Sequence, residues 1–172
     1  MKYRHHKTAV ASILALMLAV APGQIVGVAN AADSPEAFVR KAGLSNTFEV
    51  EAAKLALTRG KAPDAKTFAA DMIKDHTAAG AALAKAAAEQ GIEVPKQLDR
   101  EHGQKLEALK AATDADFDQA YLSTQVSAHE EAVALFDDYI KHGSGGPLGA
   151  FAESTLGTLR THNVRIHGLT HQ

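Results

Sequence analysis

The chain has 172 residues, no cysteine or tryptophan, 46% hydrophobic residues, 5% aromatic ones and 22% charged ones. That profile excludes disulfide-stapled, collagen-like and low-complexity classes and favours one alanine-rich helical domain. A formal net charge of −2 gives no electrostatic footprint for nucleic acid, and no basic cluster marks a helix lying on a membrane.

The N-terminus reads as a secretory signal. Lys2, Arg4 and Lys7 precede a charge-free stretch from Thr8 to Ala32, with an apolar heart at Ala9–Val20 and a small-x-small site at Ala29-Asn30-Ala31. Cleavage after Ala31 is expected, with an uncleaved anchor as the alternative. Pro22-Gly23 interrupts the stretch, and the apolar heart is short for a membrane span. The absence of cysteine excludes a lipoprotein. Removing residues 1–31 takes away three bases and no acid, leaving 141 residues with 15 Lys and Arg against 20 Asp and Glu, a net charge of −5. The expectation is therefore a periplasmic or outer-membrane-associated protein with no stable membrane span once the signal is cut. Its single domain, 32–172, is stabilised by packing alone, which a core of this size can supply.

Helix punctuation is clear along the rest of the chain. Ser34-Pro35-Glu36 supplies an N-cap, an N1 proline and a first-turn acid for a helix running to about Arg59, and Gly60 stops it. Pro63-Asp64 opens a second helix with Phe68, Met72, His76, Ala79 and Leu83 at steps of three and four, ending near Gly91. Ile92–Pro95 looks extended, and a short helix over about Asp99–Ala111 follows within what reads as a crossover connection. Thr113 or Asp114 is the expected cap of a third long helix, which carries Phe117, Tyr121, Leu122, Val126, Val133, Phe136 and Ile140 on its apolar side and closes at His142-Gly143. A final helix from about Pro147 carries Leu148, Phe151, Leu159, Ile166 and Leu169. Four long helices in two hairpins, with a short extra helix in the crossover, predict an all-α ferritin-like four-helix bundle.

Each long helix carries one ionisable residue on its apolar stripe. Glu49 interrupts Ala42, Ser45, Ala52 and Ala56; His76 lies between Met72 and Ala79; His129 lies among Val126, Val133 and Phe136; and His162 lies between Leu159 and Ile166. Glu49 is 12 residues before the turn near Lys61 and His76 is 15 after it, a height mismatch of about 4.5 Å. His129 and His162 stand 15 and 18 residues from the turn near Ser144, with the same offset. The four therefore predict one belt at mid-bundle. Glu49, His76, His129 and His162 are the candidate ligands of one transition metal ion, and Asp75 is a candidate acceptor behind an imidazole. Imidazoles and a carboxylate suit zinc, iron or copper rather than calcium or magnesium. For each residue alone a satisfied core or boundary side chain is the simpler account. Asp118 is assigned to capping or a local hydrogen bond with Tyr121, His167 and His171 to a solvated face, and His102 and His142 to the surface.

The segments Phe48-Glu49-Val50-Glu51-Ala52-Ala53-Lys54-Leu55-Ala56, Met72-Ile73-Lys74-Asp75-His76-Thr77, Phe117-Asp118-Gln119-Ala120-Tyr121, Ser127-Ala128-His129 and Leu159-Arg160-Thr161-His162 resemble the DUF4142 family over nearly the whole of 32–172. The resemblance implies an exported bacterial envelope protein, of a kind often described as a predicted outer membrane protein, with a ferritin-like bundle, and it implies no activity. Di-iron bundles carry Glu-x-x-His on two helices, whereas three positions before His76, His129 and His162 stand Ile73, Val126 and Leu159. A mononuclear site is favoured over a ferroxidase centre, and an oxidase or peroxide-consuming activity is disfavoured. No nucleophile motif, phosphate loop or zinc-protease signature is present. Two readings follow. One is an envelope protein that binds one transition metal for metal handling or stress protection. The other is a structural or interaction module of the envelope, with a protein partner or oligomer, whose core histidines only hydrogen-bond.

Overall fold

The computed structural model describes Met1 and residues 33–171; apart from Met1, the expected signal segment 1–31 and the expected new N-terminus at Ala32 lie outside the described residues. Among the described residues five helices follow one another: α1 (Pro35–Arg59), α2 (Pro63–Ala88), α3 (Arg100–Ala111), α4 (Phe117–His142) and α5 (Gly146–Thr170). Among the described residues there is no strand, and no helix is long and apolar enough to cross a membrane.

Local signals set most of the boundaries. Ser34 Oγ accepts from the Ala37 amide at 3.2 Å, which satisfies one of the free donors at the start of α1 beside Pro35. At the end of α2, Gly91 adopts φ +69°, and the Ile92 amide returns to the Ala87 carbonyl at 2.9 Å. A side chain would strain that left-handed turn. The cap of α4 differs from expectation. Asp116, not Thr113 or Asp114, holds the N-cap position, because Thr113 and Asp116 first close a turn of their own, with the Asp116 amide bonded to the Thr113 carbonyl and hydroxyl.

The helices pair as α1 with α2 and α4 with α5, and the hairpins meet through α1 against α4 and α2 against α5. Phe38 near the start of α1 stacks on Tyr139 near the end of α4, with ring centroids 3.9 Å apart. At the other end, the Arg59 guanidinium lies 4.5 Å over the Phe117 ring. Thus α1 and α4 run antiparallel, and the chain must travel back along the bundle between α2 and α4. That is the crossover of a ferritin-like bundle. The returning strand of chain presses on α1 at Gly43, where a Cβ would stand 2.7 Å from Val94 Cγ1. Further along, α3 packs on α1 and α4, and Arg59 binds its last carbonyls, Leu109, Lys110 and Ala112, at 3.1, 2.9 and 2.7 Å.

Apolar packing separates into two clusters. One end is built on Phe38, Leu83, Phe136, Tyr139, Leu148 and Phe151; the other on Phe48, Phe68, Met72, Phe117, Tyr121 and Ile166. Between them lies a layer of polar side chains. The geometry of that layer depends on the α1–α2 turn, which Asp118 of α4 fixes. Ala62, the N-cap of α2, has no side chain able to cap, and the Asp118 carboxylate accepts instead from the Lys61 amide at 3.0 Å and the Ala62 amide at 2.7 Å. Asp118 is thus a cap acting across helices rather than a local partner of Tyr121. Hydrogen bonds to a charged acceptor each contribute about 1.5–3 kcal/mol. Because the two bonds lie at a half-buried turn and share one carboxylate, Asp118→Ala should lower unfolding free energy by about 2–4 kcal/mol in urea titration, less than the two contributions added in full, and Asp118→Asn by less. An Asp118→Ala protein as stable as the parent would contradict this role.

Candidate metal centre

The four belt residues come from four helices and converge: Glu49 is 1% exposed, His129 0%, and His76 and His162 4% each. The three imidazoles form a triangle with centroid separations of 5.7 Å (His76–His129), 5.6 Å (His76–His162) and 5.5 Å (His129–His162). One nitrogen of each ring lies within 4.8 Å of those of the other two. Phe68 closes the layer from below, its ring 6.2 Å from His129 and 6.1 Å from His162.

Each ring is held from outside by an acceptor. The Glu49 carboxylate stands 2.9 Å from His76 Nδ1, and the Asn46 amide oxygen lies 3.1 Å from the same nitrogen. The Gln125 carbonyl, one turn back on α4, takes His129 Nδ1 at 2.9 Å. Asp75 takes His162 Nε2 at 3.1 Å. These partners accept only, so the proton of each neutral ring is placed on its outer nitrogen. The other nitrogens, His76 Nε2, His129 Nε2 and His162 Nδ1, are buried without a hydrogen-bond partner. An orphaned buried polar atom costs about 1–3 kcal/mol, and three in one layer are what a cation would satisfy. Around zinc at roughly 2.1 Å, nitrogens of a tetrahedral shell stand about 3.4 Å apart, so an inward rotation of each ring by about an ångström closes the site.

Electrostatics set the rings apart. Burial pushes the Glu49 carboxyl up, but the neighbouring His76, His129 and His162 outweigh it and hold Glu49 well below the usual carboxylate range. Burial likewise opposes charge on His76, yet the Glu49 carboxylate, with help from Asp75, raises it. His129 and His162 are pushed down, chiefly by burial, and so present neutral imidazoles near pH 7. Burial, with the Glu49 charge adding to it, pushes the Tyr121 phenol upward.

The sequence expectation placed Glu49 among four equal ligands. In the structure it stands behind His76, and the cluster close enough to share one ion consists, among the described residues, of the three histidines. Asp75 holds His162 across the α2–α5 seam rather than the adjacent His76. Other polar residues of the layer escaped sequence reading. Asn46 shares the face of Glu49, three residues earlier, and Gly80 leaves it room, since a Cβ there would stand 2.8 Å from Asn46 Nδ2. Gln125 is 0% exposed, with neither side-chain amide atom partnered; its position four residues before His129 was the available signal. Among the described residues, the remaining histidines lie elsewhere. Asp99, the N-cap of α3, accepts from the His102 amide at 3.0 Å and lies 2.7 Å from His102 Nδ1, while the His102 ring packs on Phe48 at 5.8 Å; His142 pairs with Asp138 at 3.1 Å, and His167 stacks on His171 at 6.4 Å.

An all-α, ferritin-like bundle with a buried histidine triad that could hold a metal ion is the class that fold and site define. The chain belongs to the DUF4142 family: the profile described as "Domain of unknown function (DUF4142)" matches residues 22–169. No curated protein matches the sequence. Two solved structures share the fold at a TM-score of 0.68, each covering 81% of this chain and 97% of its own. They are a DUF305 fragment from Deinococcus radiodurans at 15% identity and CopM in its Cu(II)-bound form at 16% identity.

The ring environments give distinct titrations. Followed by NMR, His76 should titrate above the ordinary histidine value of 6.5 and His129 and His162 below it. Glu49→Gln should bring His76 down, because burial is then opposed only by Asp75. A His76 titration unmoved by Glu49→Gln would show that the carboxylate does not control this ring.

Proposed function

We propose that this protein binds one transition metal ion through the unpartnered nitrogens of His76, His129 and His162, as an exported protein of the bacterial envelope used in metal handling or stress protection. The observation that carries the reading is the set of three buried lone pairs, each fixed by an acceptor on the far side of its ring. Metal-binding histidines are commonly oriented in this way. Glu49 supplies one negative charge behind His76, which offsets part of the charge of a divalent ion. Neutral nitrogen donors suit copper, zinc or iron over hard cations, and a single cluster with one nearby buried carboxylate suits one ion rather than two. Copper(II) is the first ion to test, since CopM shares the fold and its structure is a Cu(II)-bound form. Export rests on the charge pattern of residues 1–31 and on the family to which the chain belongs.

Isothermal titration of apo-protein with copper(II) or zinc(II) should give one high-affinity equivalent per chain. His129→Ala should weaken it by well over tenfold and Glu49→Gln by about 10–100-fold, the range for residues that orient ligands. At free ion 100 times Kd the folded state should gain about 2.7 kcal/mol, read as a higher melting temperature. Absence of a stoichiometric site would leave the envelope module without metal as the better account. Intact-mass analysis of protein recovered from the envelope should give a chain beginning at Ala32. A full-length chain in the membrane fraction would support the uncleaved anchor instead.

A further inference from the structure

The three histidines are buried on every side, so an ion needs a path to them. A cavity of about 30 Å³ lies between the four long helices on the Leu83–Phe151 side of the layer, and Glu49 and His76 form part of its wall together with Ser45, Asn46 and Thr155. That volume holds a water-sized occupant. His76, which the cavity touches, carries one of the unpartnered buried nitrogens. On the outer surface, α1, α3 and α4 frame a groove of about 540 Å³. Ser45, Ala132 and Leu135 line both the groove and the cavity, so a partition one side chain thick separates solvent from the polar layer.

The groove suits a cation. Asp33, Asp99, Glu101, Glu131 and Asp138 line it against Arg40 and Lys41; Lys41 pairs with Asp33 at 2.7 Å and Lys105 with Glu101 and Glu131 at 2.9 and 3.5 Å, so five carboxylates face three cations. On the opposite, α2–α5 face the Arg165 guanidinium lies 5.4 Å over the Phe68 ring that closes the layer and pairs with Asp71, covering the polar layer from that side. We propose that a divalent transition metal ion reaches His76, His129 and His162 from the α1–α3–α4 groove through this cavity, with partly buried Leu135 as the side chain that must move. The acids concentrate the hydrated ion at the groove. The oxygens of Ser45, Asn46, Glu49 and Thr155 replace its water as it passes, before the softer imidazoles take it. This route rests on the metal reading of the histidine triad.

Stopped-flow measurement of copper(II) or zinc(II) association with the apo-protein, and of dissociation into an excess of chelator, tests it. Leu135→Ala should speed both rates at least fivefold, and Leu135→Phe should slow both, with Kd unchanged within about twofold in each case. Glu131→Lys with Asp138→Lys, on the outer face and away from the imidazoles, should slow association at least threefold, flatten its salt dependence and leave dissociation unchanged. Helical circular dichroism and melting curves confirm that each variant is folded. Rates insensitive to Leu135 and to the charge pair, or rates that instead rise on Arg165→Gln, would overturn the route while leaving the site intact. Failure of the unsubstituted protein to take up an ion would overturn the metal reading and the route together.

Discussion

The structure depends on one costly arrangement, the burial of a carboxylate and three imidazoles in a single layer at mid-bundle. Moving a charge out of water carries a penalty of several kcal/mol even after relaxation, and a core made only of Leu, Phe and Ala would avoid it. The layer limits that cost by carrying charge on few groups. Glu49 is held ionised and His76 is raised beside it, so these two compensate each other, while His129 and His162 are held neutral by burial and satisfy their outer nitrogens on a backbone carbonyl and on Asp75. Left without a hydrogen bond in the layer are one inward nitrogen per ring, Glu49 Oε2 and both side-chain amide atoms of Gln125. An arrangement with three orphaned lone-pair nitrogens side by side is poor as a device for stability alone, and it is intelligible as a binding site.

The rest of the molecule keeps that layer in register. Because α1 and α2 carry Glu49 and His76 on opposite arms of a hairpin, their relative height is set by the Gly60–Ala62 turn, which is pinned by Asp118 from α4. The same aspartate therefore ties the first hairpin to the helix that carries His129. At the other end, the stacked Phe38–Tyr139 pair joins α1 to α4, and the apolar cluster around it continues into α5 through Phe151 and Leu159. Rigid packing above and below the layer is what would hold donor atoms near a binding geometry without an ion.

Much of this was legible in the chain because it is local. Ser34-Pro35, Gly60, Pro63 and Gly143 mark helix ends through capping and backbone preference, and helical spacing placed Glu49, His76, His129 and His162 on apolar faces at one height. Height along a helix follows from counting residues. The direction in which a side chain points around the helix, and which atom it presents, depend on rotamers and neighbouring helices, so Glu49 could be placed in the layer but not behind His76. Asp75 reads as an acceptor behind an imidazole, and the ring it holds, His162, lies on another helix 87 residues away in sequence. Asp118 and Arg59 act on backbone groups more than 50 residues distant, a relation without any periodic trace. Asn46 and Gln125 were overlooked because a single amide on a mostly apolar helix face is a common surface-boundary pattern.

Anomalous diffraction from crystals of the copper(II)- or zinc(II)-loaded protein is the most direct test of the central claim. A single strong peak about 2.0–2.1 Å from one nitrogen each of His76, His129 and His162, with Glu49 retained at His76 Nδ1, is the predicted result. A peak at half-buried His167 and exposed His171 or at His102 and Asp99, with the interior layer unchanged, would contradict it.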